Sequence, residues 1–451
     1  MDSVTQLRRL GLFDARVPRY TSYPTANHFN SCIGPQDMAR WISEIPTGEV
    51  ISLYVHIPFC RRLCWFCACR TQGTSTSAPV RGYLDIVKKE LEMVAERLPS
   101  GVTLSRLHWG GGTPTLLDAD MIRDLARAAT DVAPFAEDAE FSVEIDPNEI
   151  DDDRMDALVE CGMNRASIGV QDFDPDIQAT IGRPQSFDIT KAAADGLRDR
   201  GVKSLNVDIL YGLPHQTEAR ISDSVQKVLT LSPDRVALYG YAHVPWMARR
   251  QSLIPTEALP APEARLELYE TARELFVWDG YEEIGIDHFA RPNDGLAVAH
   301  REGRLKRNFQ GYTDDPANVL IGTGASSISR FPQGFAQNNP ATSGYHAAIR
   351  DGQLATARGH AFTPEDKIRA AMIGKLMCEF RIDFEELGAE LGEPPQALSK
   401  RLDGIDDAFP EMLAHEATSI EIRPEARPLT RMIARFLDTF SMNQDGHSAA
   451  I

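Results

Sequence analysis

The stretch Tyr54–Arg70, YVHIPFCRRLCWFCACR, gathers Cys60, Cys64, Cys67 and Cys69 within ten residues of a chain that has seven cysteines in all. The first three follow the spacing C-x3-C-x2-C. A structural zinc site commonly uses two C-x2-C pairs set well apart, and no second pair follows here. A redox dithiol would need a single C-x2-C. A ferredoxin-type cluster takes four cysteine ligands, and Cys69, only two residues after Cys67, makes an awkward fourth corner. The pattern reads as a [4Fe–4S] cluster held by Cys60, Cys64 and Cys67, with one iron open to an external chelate. His56 reads as a packed or hydrogen-bonded strand residue. The other cysteines, Cys32, Cys161 and Cys378, are scattered, and an odd count argues against a disulfide framework.

Such a loop needs a scaffold, and a strand pattern supplies one. Short β-rich runs recur at 50–57, 105–110, 140–146, 165–171, 204–212, 234–242 and 282–289. Helical patterns such as VRGYLDIVKKELEMVAERL and SFDITKAAADGLRDRG lie between them. This is the rhythm of βα units and a parallel sheet. The expected class is α/β, a partial parallel (β/α)6-type barrel, with a doubly wound open sheet as the alternative. The first strand runs into the cysteine loop and the second ends in GGGT, Gly110–Thr113. Glu144, Gln171, Asp208, Ala242 and His243 fall at later strand ends. Ligands bind at that carboxyl edge in parallel folds.

Three parts are expected: an arm or lid over 1–49 with little regular structure, a barrel over 50–345, and a helical unit over 346–451. In the last, Thr363 suits an N-cap, Pro364 a first turn, and Glu365 and Asp366 the positive helix end. One short strand is expected at TSIEIRP, and the tail SMNQDGHSAAI is expected to fray.

The 451 residues carry a formal net charge of −18, with 43% hydrophobic residues. This balance argues against nucleic-acid or anionic-membrane binding. An anionic small substrate would need a local cluster of Arg or Lys. With no run of about 18 apolar residues and no secretory signal pattern, a cytoplasmic location is the default expectation.

C-x3-C-x2-C after the first strand of a βα repeat, with Phe66 before the third cysteine, resembles the radical S-adenosylmethionine enzymes. SLYVHIPFCRRLCWFCACR, HWGGGTPT, SIGVQDFD, IGRPQ, NVDILYGLP, RNFQGYT and PRYTSYPT together resemble, within them, the oxygen-independent coproporphyrinogen III oxidase family of haem biosynthesis. The likeness runs from about Pro18 to the C-terminal helices. It implies two S-adenosylmethionine molecules. Tyr54, Gly111, Glu144 and Ile328 match positions for the molecule on the cluster. Phe66, Gly112, Thr113, Gln171, Arg183, Asp208 and Ala242 match those for the second. Cys69 is implied to be functional without being a cluster ligand.

The implied reaction uses a 5′-deoxyadenosyl radical to turn two propionates of coproporphyrinogen III into vinyl groups, giving protoporphyrinogen IX. A flavodoxin- or ferredoxin-type protein would donate electrons to a monomeric enzyme. For the wide, acidic substrate, Arg19 and Tyr20 of the arm are the first candidates, with Arg16 and Tyr23 nearby; Arg307, Asn308 and Gln310 are the second. Ala68 stands where many relatives are expected to have glycine. A haem chaperone of the same fold is the nearest rival, but such proteins typically lack the arm and the Cys69 placement. A DNA-binding regulator is disfavoured by the acid-rich segment 383–409.

Overall fold

The computed structural model describes residues 3–441 and 449–451. Six strands run parallel and pair in chain order: β1 (Val50–Ile57), β2 (Thr103–Gly111), β3 (Phe135–Ile145), β4 (Arg165–Gln171), β5 (Ser204–Tyr211) and β6 (Arg235–Gly240). Helices Ala78–Ala95, Ala119–Val132, Asp152–Glu160, Phe187–Asp199 and Glu218–Thr230 connect them in turn. This is the expected partial (β/α)6 barrel.

The run 282–289, expected as a further βα strand, is instead a hairpin. β7 (Glu282–Ile284) and β8 (His288–Ala290) pair antiparallel, and β8 lies antiparallel to β6. Gly285 allows the turn: its φ is +59°, and a Cβ there would lie 2.1 Å from the Tyr312 ring. A seventh parallel strand, β9 (Leu320–Thr323), flanks β1 on its other side. It has four residues, one of them glycine, too short a pattern to read. β10 (Ile328–Phe331), β11 (Gly334–Asn338) and β12 (Thr356–Ala361) then extend the sheet antiparallel. The twelve-stranded sheet stays open between β12 and β7, and it continues to Ala361, beyond the boundary expected at 345.

Alternation along the strands separates two environments. Leu53, Val55, Leu107, Trp109, Phe141, Val143, Ile168 and Val207 are buried in the core shared with the helices. Each such side chain contributes about 1.5–3 kcal/mol on burial. The intervening residues face a polar lumen. At its floor Arg165 pairs with Glu140 at 2.6 Å and Arg106 with Asp314 at 3.0 Å, while Arg235 pairs with Asp294. Higher up, His108 bonds Ser142 and Asn206 bonds Ser167. Glu144 and Asp208 come next, at the carboxyl rim.

A second core joins the chain ends. The helix Pro364–Glu379 starts with a capping box: Asp366 N–H donates to Thr363 Oγ1 and Thr363 N–H to Asp366 Oδ2. It packs with helix Thr430–Phe436 and a three-stranded sheet of β13 (Arg381–Asp383), β14 (Leu413–His415) and β15 (Ser419–Ile422). Only β15 was legible in the sequence. The arm has more regular structure than expected, with helices Ser3–Arg9 and Pro35–Ser43. Its Leu7, Leu12, Phe13, Val17, Tyr20 and Tyr23 enter this second core. The expected frayed tail falls largely on 442–448, outside the described residues. Its last three residues are ordered against the arm: Ala450 N–H donates to Ala15 O at 2.8 Å, and Ile451 is buried.

Candidate functional site

The cysteine loop leaves β1 at Ile57 and is gripped from three sides. Beneath it, the GGGT segment docks by backbone: Gly112 N–H donates to Ile57 O at 2.8 Å and Thr113 N–H to Phe59 O at 2.7 Å. The glycines are required by the protein itself. A Cβ on Gly112 would lie 2.5 Å from Phe59 O, and one on Gly111 2.5 Å from the His56 ring. The close approach they permit is to the loop backbone and to His56. On a second side, Trp65 N–H donates to Ile181 O at 2.9 Å, and Gly182 lies flat against the indole. On the third, fully buried Gln251 donates from Nε2 to Phe66 O at 2.7 Å and to Ala242 O at 3.0 Å, tying the loop to the end of β6.

Within this frame Cys60, Cys64, Cys67 and Cys69 are all free thiols. Burial pushes the Cys60 thiol up to about 11, with Thr113 acting in the opposite direction. Arg183 reaches Cys64 Sγ at 3.4 Å and Gly169 O at 2.9 Å, and lies 3.8 Å from Asp146. Its Nε is buried without a partner. Cys69 N–H donates to Cys67 Sγ at 3.3 Å. Hydrogen bonds from Cys69 favour the Cys67 thiolate, and Cys69 is in turn held as the thiol. Amide N–H and guanidinium donors aimed at sulfur suit thiolates that carry metal charge. The donor set therefore fits a cluster bound by three cysteines. Cys69, on the exposed side, acts here as a donor to Cys67.

At the strand ends, Glu144 accepts from Gly111 N–H at 3.0 Å and lies 3.6 Å from His108 Nε2. The Tyr54 hydroxyl is 2.9 Å from His56 Nδ1, and its ring stacks on His108. Burial, with Glu144 adding to it, raises the Tyr54 phenol far above its usual range. Asp208 accepts from Asn206 and Ser167. Burial is the larger influence and pushes it up to about 6. Gln171 has a left-handed φ of +72°, a costly conformation for a non-glycine residue that clusters at functional sites. Ile328 opens β10 near the exit of β1: Gly322, paired with Tyr54, abuts its carbonyl.

Beside this rim opens a cavity of about 650 Å³, walled by Tyr211, Gly240, Tyr241, Ala242 and His243 from the ends of β5 and β6. Arg19 of the arm reaches it and donates to Gly240 O at 2.8 Å, and Arg307 also lines it. Tyr20 goes elsewhere: it is buried in the second core, and its hydroxyl donates to Asp438 at 2.9 Å. The structure thus brings Arg19 to the cavity and uses Tyr20 to fasten the arm. Sequence reasoning missed His108, Gln251, Arg265 and Arg431. His108 was legible, two residues before Gly110 on an alternating strand. The others lie in loops and helices whose proximity to the rim no local pattern signals.

A parallel partial barrel with a three-thiol loop at its carboxyl rim defines a radical S-adenosylmethionine protein, and the profile described as "Radical SAM superfamily" matches residues 54–228. A protein named oxygen-independent coproporphyrinogen III oxidase from Paracoccus denitrificans is 63% identical over 451 residues, covering 100% of both chains. One of the same name from Synechocystis is 36% identical over 442 residues, 96% of this chain and 95% of that one. The solved coproporphyrinogen III oxidase of Escherichia coli, titled a radical SAM enzyme, superposes with a TM-score of 0.89 at 36% identity, covering 95% of this chain and 100% of that one. The chain belongs to the oxygen-independent coproporphyrinogen III oxidase family. Among the described residues no helix is long and apolar enough to cross a membrane.

Proposed function

We propose that this protein catalyses the oxygen-independent oxidative decarboxylation of two propionates of coproporphyrinogen III to vinyl groups, yielding protoporphyrinogen IX. The observation that carries this reading is a three-thiol loop that opens at the same strand edge as an arginine-walled cavity. When bound, a [4Fe–4S] cluster and S-adenosylmethionine supply the one-electron chemistry that removes a hydrogen atom from the propionate β-carbon. Cys60, Cys64 and Cys67 would hold the cluster. Tyr54, Gly111, Glu144 and Ile328 would hold one S-adenosylmethionine. Phe66, Gly112, Thr113, Gln171, Arg183, Asp208 and Ala242 would hold a second.

The chain's own contribution is binding, orientation and exclusion. Glu144, fixed by the Gly111 amide, presents a carboxylate for ammonium or ribose donors. Arg183 keeps one buried N–H to offer a carboxylate. The cavity must bring the substrate carbon to about 3–3.5 Å from the attacking carbon, and the arm shields that contact from water. Cys69 steadies the Cys67 ligand by its amide. A flavodoxin- or ferredoxin-type protein would feed electrons to a monomeric enzyme. The test is anaerobic. Protein reconstituted with iron and sulfide is given S-adenosylmethionine, reductant and coproporphyrinogen III, and 5′-deoxyadenosine is counted against vinyl groups. Two vinyl groups per porphyrinogen are expected; 5′-deoxyadenosine without vinyl formation would reject the substrate.

A further inference from the structure

We infer that Arg265 and Arg431, together with Arg19 and Arg307, form the carboxylate anchor of this cavity and seize the propionates of the tetrapyrrole that are not at the reacting position; this rests on the proposed reaction. All four line the cavity. They sit in a chain of formal net charge −18, yet their partners are mostly uncharged. Arg431 donates to the carbonyls of Val17, Pro18, Ala449 and Ala450 at 2.6–3.2 Å. Arg265 donates to Tyr241 O at 2.9 Å and lies over the Tyr211 ring, and its Nε is buried without a partner. Arg19 donates to Gly240 O. Arg307 has Asp287 at 3.7 Å, and its Nε and Nη1 are buried without partners.

Carboxylates do line the cavity, but among the described residues only Asp287 comes within ion-pair distance of any of these four arginines. Asp287 is shared with His288 at 2.7 Å, while Glu270 and Glu283 are taken by Arg273. Carbonyl oxygens satisfy N–H groups without neutralising charge. Cations withdrawn from water as Arg265, Arg307 and Arg431 are, with Arg19 at the exposed mouth, are costly unless an anion completes them, and guanidiniums are suited to carboxylates by their forked donors. Burial, with Arg19 adding to it, disfavours the charged form of both Arg265 and Arg431. A bound anion would relieve this. The ligand class is therefore a flat molecule carrying several carboxylates. The tyrosines 211, 241 and 269 offer its ring an apolar wall.

The test uses the anaerobically reconstituted enzyme and coproporphyrin III, the stable four-carboxylate porphyrin, titrated by fluorescence quenching. Mesoporphyrin, with two carboxylates, is titrated in parallel. Arg265→Met should weaken coproporphyrin III binding roughly 10- to 100-fold, the range of a charge-assisted hydrogen bond, and should weaken mesoporphyrin binding less. Because Arg431 also holds the arm and the chain end, Arg431→Lys is the second variant. It keeps the charge but loses the fork, so a smaller loss in the same direction is expected. If both variants bind coproporphyrin III within twofold of the parent, and form vinyl groups at the parent's KM, the anchor lies elsewhere and the reaction stands. A parent enzyme that neither binds coproporphyrin III nor forms vinyl groups overturns the anchor and the reaction together.

Discussion

Gly112 shows how one missing side chain can govern a metal loop. Gly112→Ala would drive a methyl into the Phe59 carbonyl, a backbone atom that cannot swing away. Reconstituted iron per chain should fall by at least half, measured by colorimetric iron assay. Gly82→Ala is the contrast: nothing lies within 4 Å of its Cβ in the helix Ala78–Ala95. That change should stabilise the fold by about 0.5–1 kcal/mol. Asp208 gives a pH signature. Its carboxyl ionises near 6 when folded, against 3.8 in the unfolded chain, so the native state holds a proton that the unfolded state has lost. Stability therefore falls as pH rises from about 3.8 to 6, and the deficit is complete above that. Asp208→Asn should raise stability by about 1–3 kcal/mol at pH 7 and by almost nothing at pH 4. Urea melts of the cofactor-free protein at both values would decide it. Cysteine spacing, the GGGT run and the polar strand ends were all legible at this scale, because each is a local pattern. That the glycines also make room for the loop backbone and His56 was not, because the atoms they avoid belong to residues about fifty positions away.

At the scale of elements, the lumen has the clearest energetic consequence. β3 offers Glu140 to Arg165 and Arg106 at the floor, where water is scarce. Burial alone would raise the Glu140 carboxyl, but those two guanidiniums hold it down to about 2. Against 4.5 unfolded, this contributes about 3 kcal/mol that is fully present above pH 4.5 and is lost as pH falls towards 2. Glu140→Gln should cost about 3–5 kcal/mol at neutral pH, since it removes the close carboxylate from buried Arg165 and leaves it only Asp294 at 3.9 Å. The penalty should shrink by pH 3, read from chemical denaturation at the two pH values. The alternation that builds this lumen is visible in the sequence once the strands are placed. β7, β8 and β9 are not, because runs of three or four residues carry too little pattern to tell a hairpin from a βα unit.

Across the whole molecule, the arm joins two cores. Tyr20 and Tyr23 bond Asp438 and Thr439, while Arg19, the residue before Tyr20, reaches the cavity. Removing residues 1–30 should therefore uncouple the two halves of the reaction: 5′-deoxyadenosine should keep forming while vinyl groups fall at least tenfold. Unchanged stoichiometry in a product count would reject a shielding role. Tyr20→Phe is the gentler probe. It should cost about 1–2 kcal/mol by removing one of the donors to buried Asp438, which keeps the Phe440 amide at 2.9 Å, seen as a lowered melting temperature. The sequence reads as an arm, a barrel and a C-terminal unit, but the core shared by the chain's two ends was not legible in it, because contacts such as Tyr20 with Asp438 join residues more than four hundred positions apart.

The grip on the cysteine loop bears on how such a protein can be handled. Ile57, Phe59, Trp65 and Phe66 are all tethered by the chain's own groups, so the loop's course is set by backbone contacts as well as by its thiols. A group that binds the native thiols and not the unfolded chain adds to stability by mass action, so loading with iron and sulfide under nitrogen should raise the melting temperature.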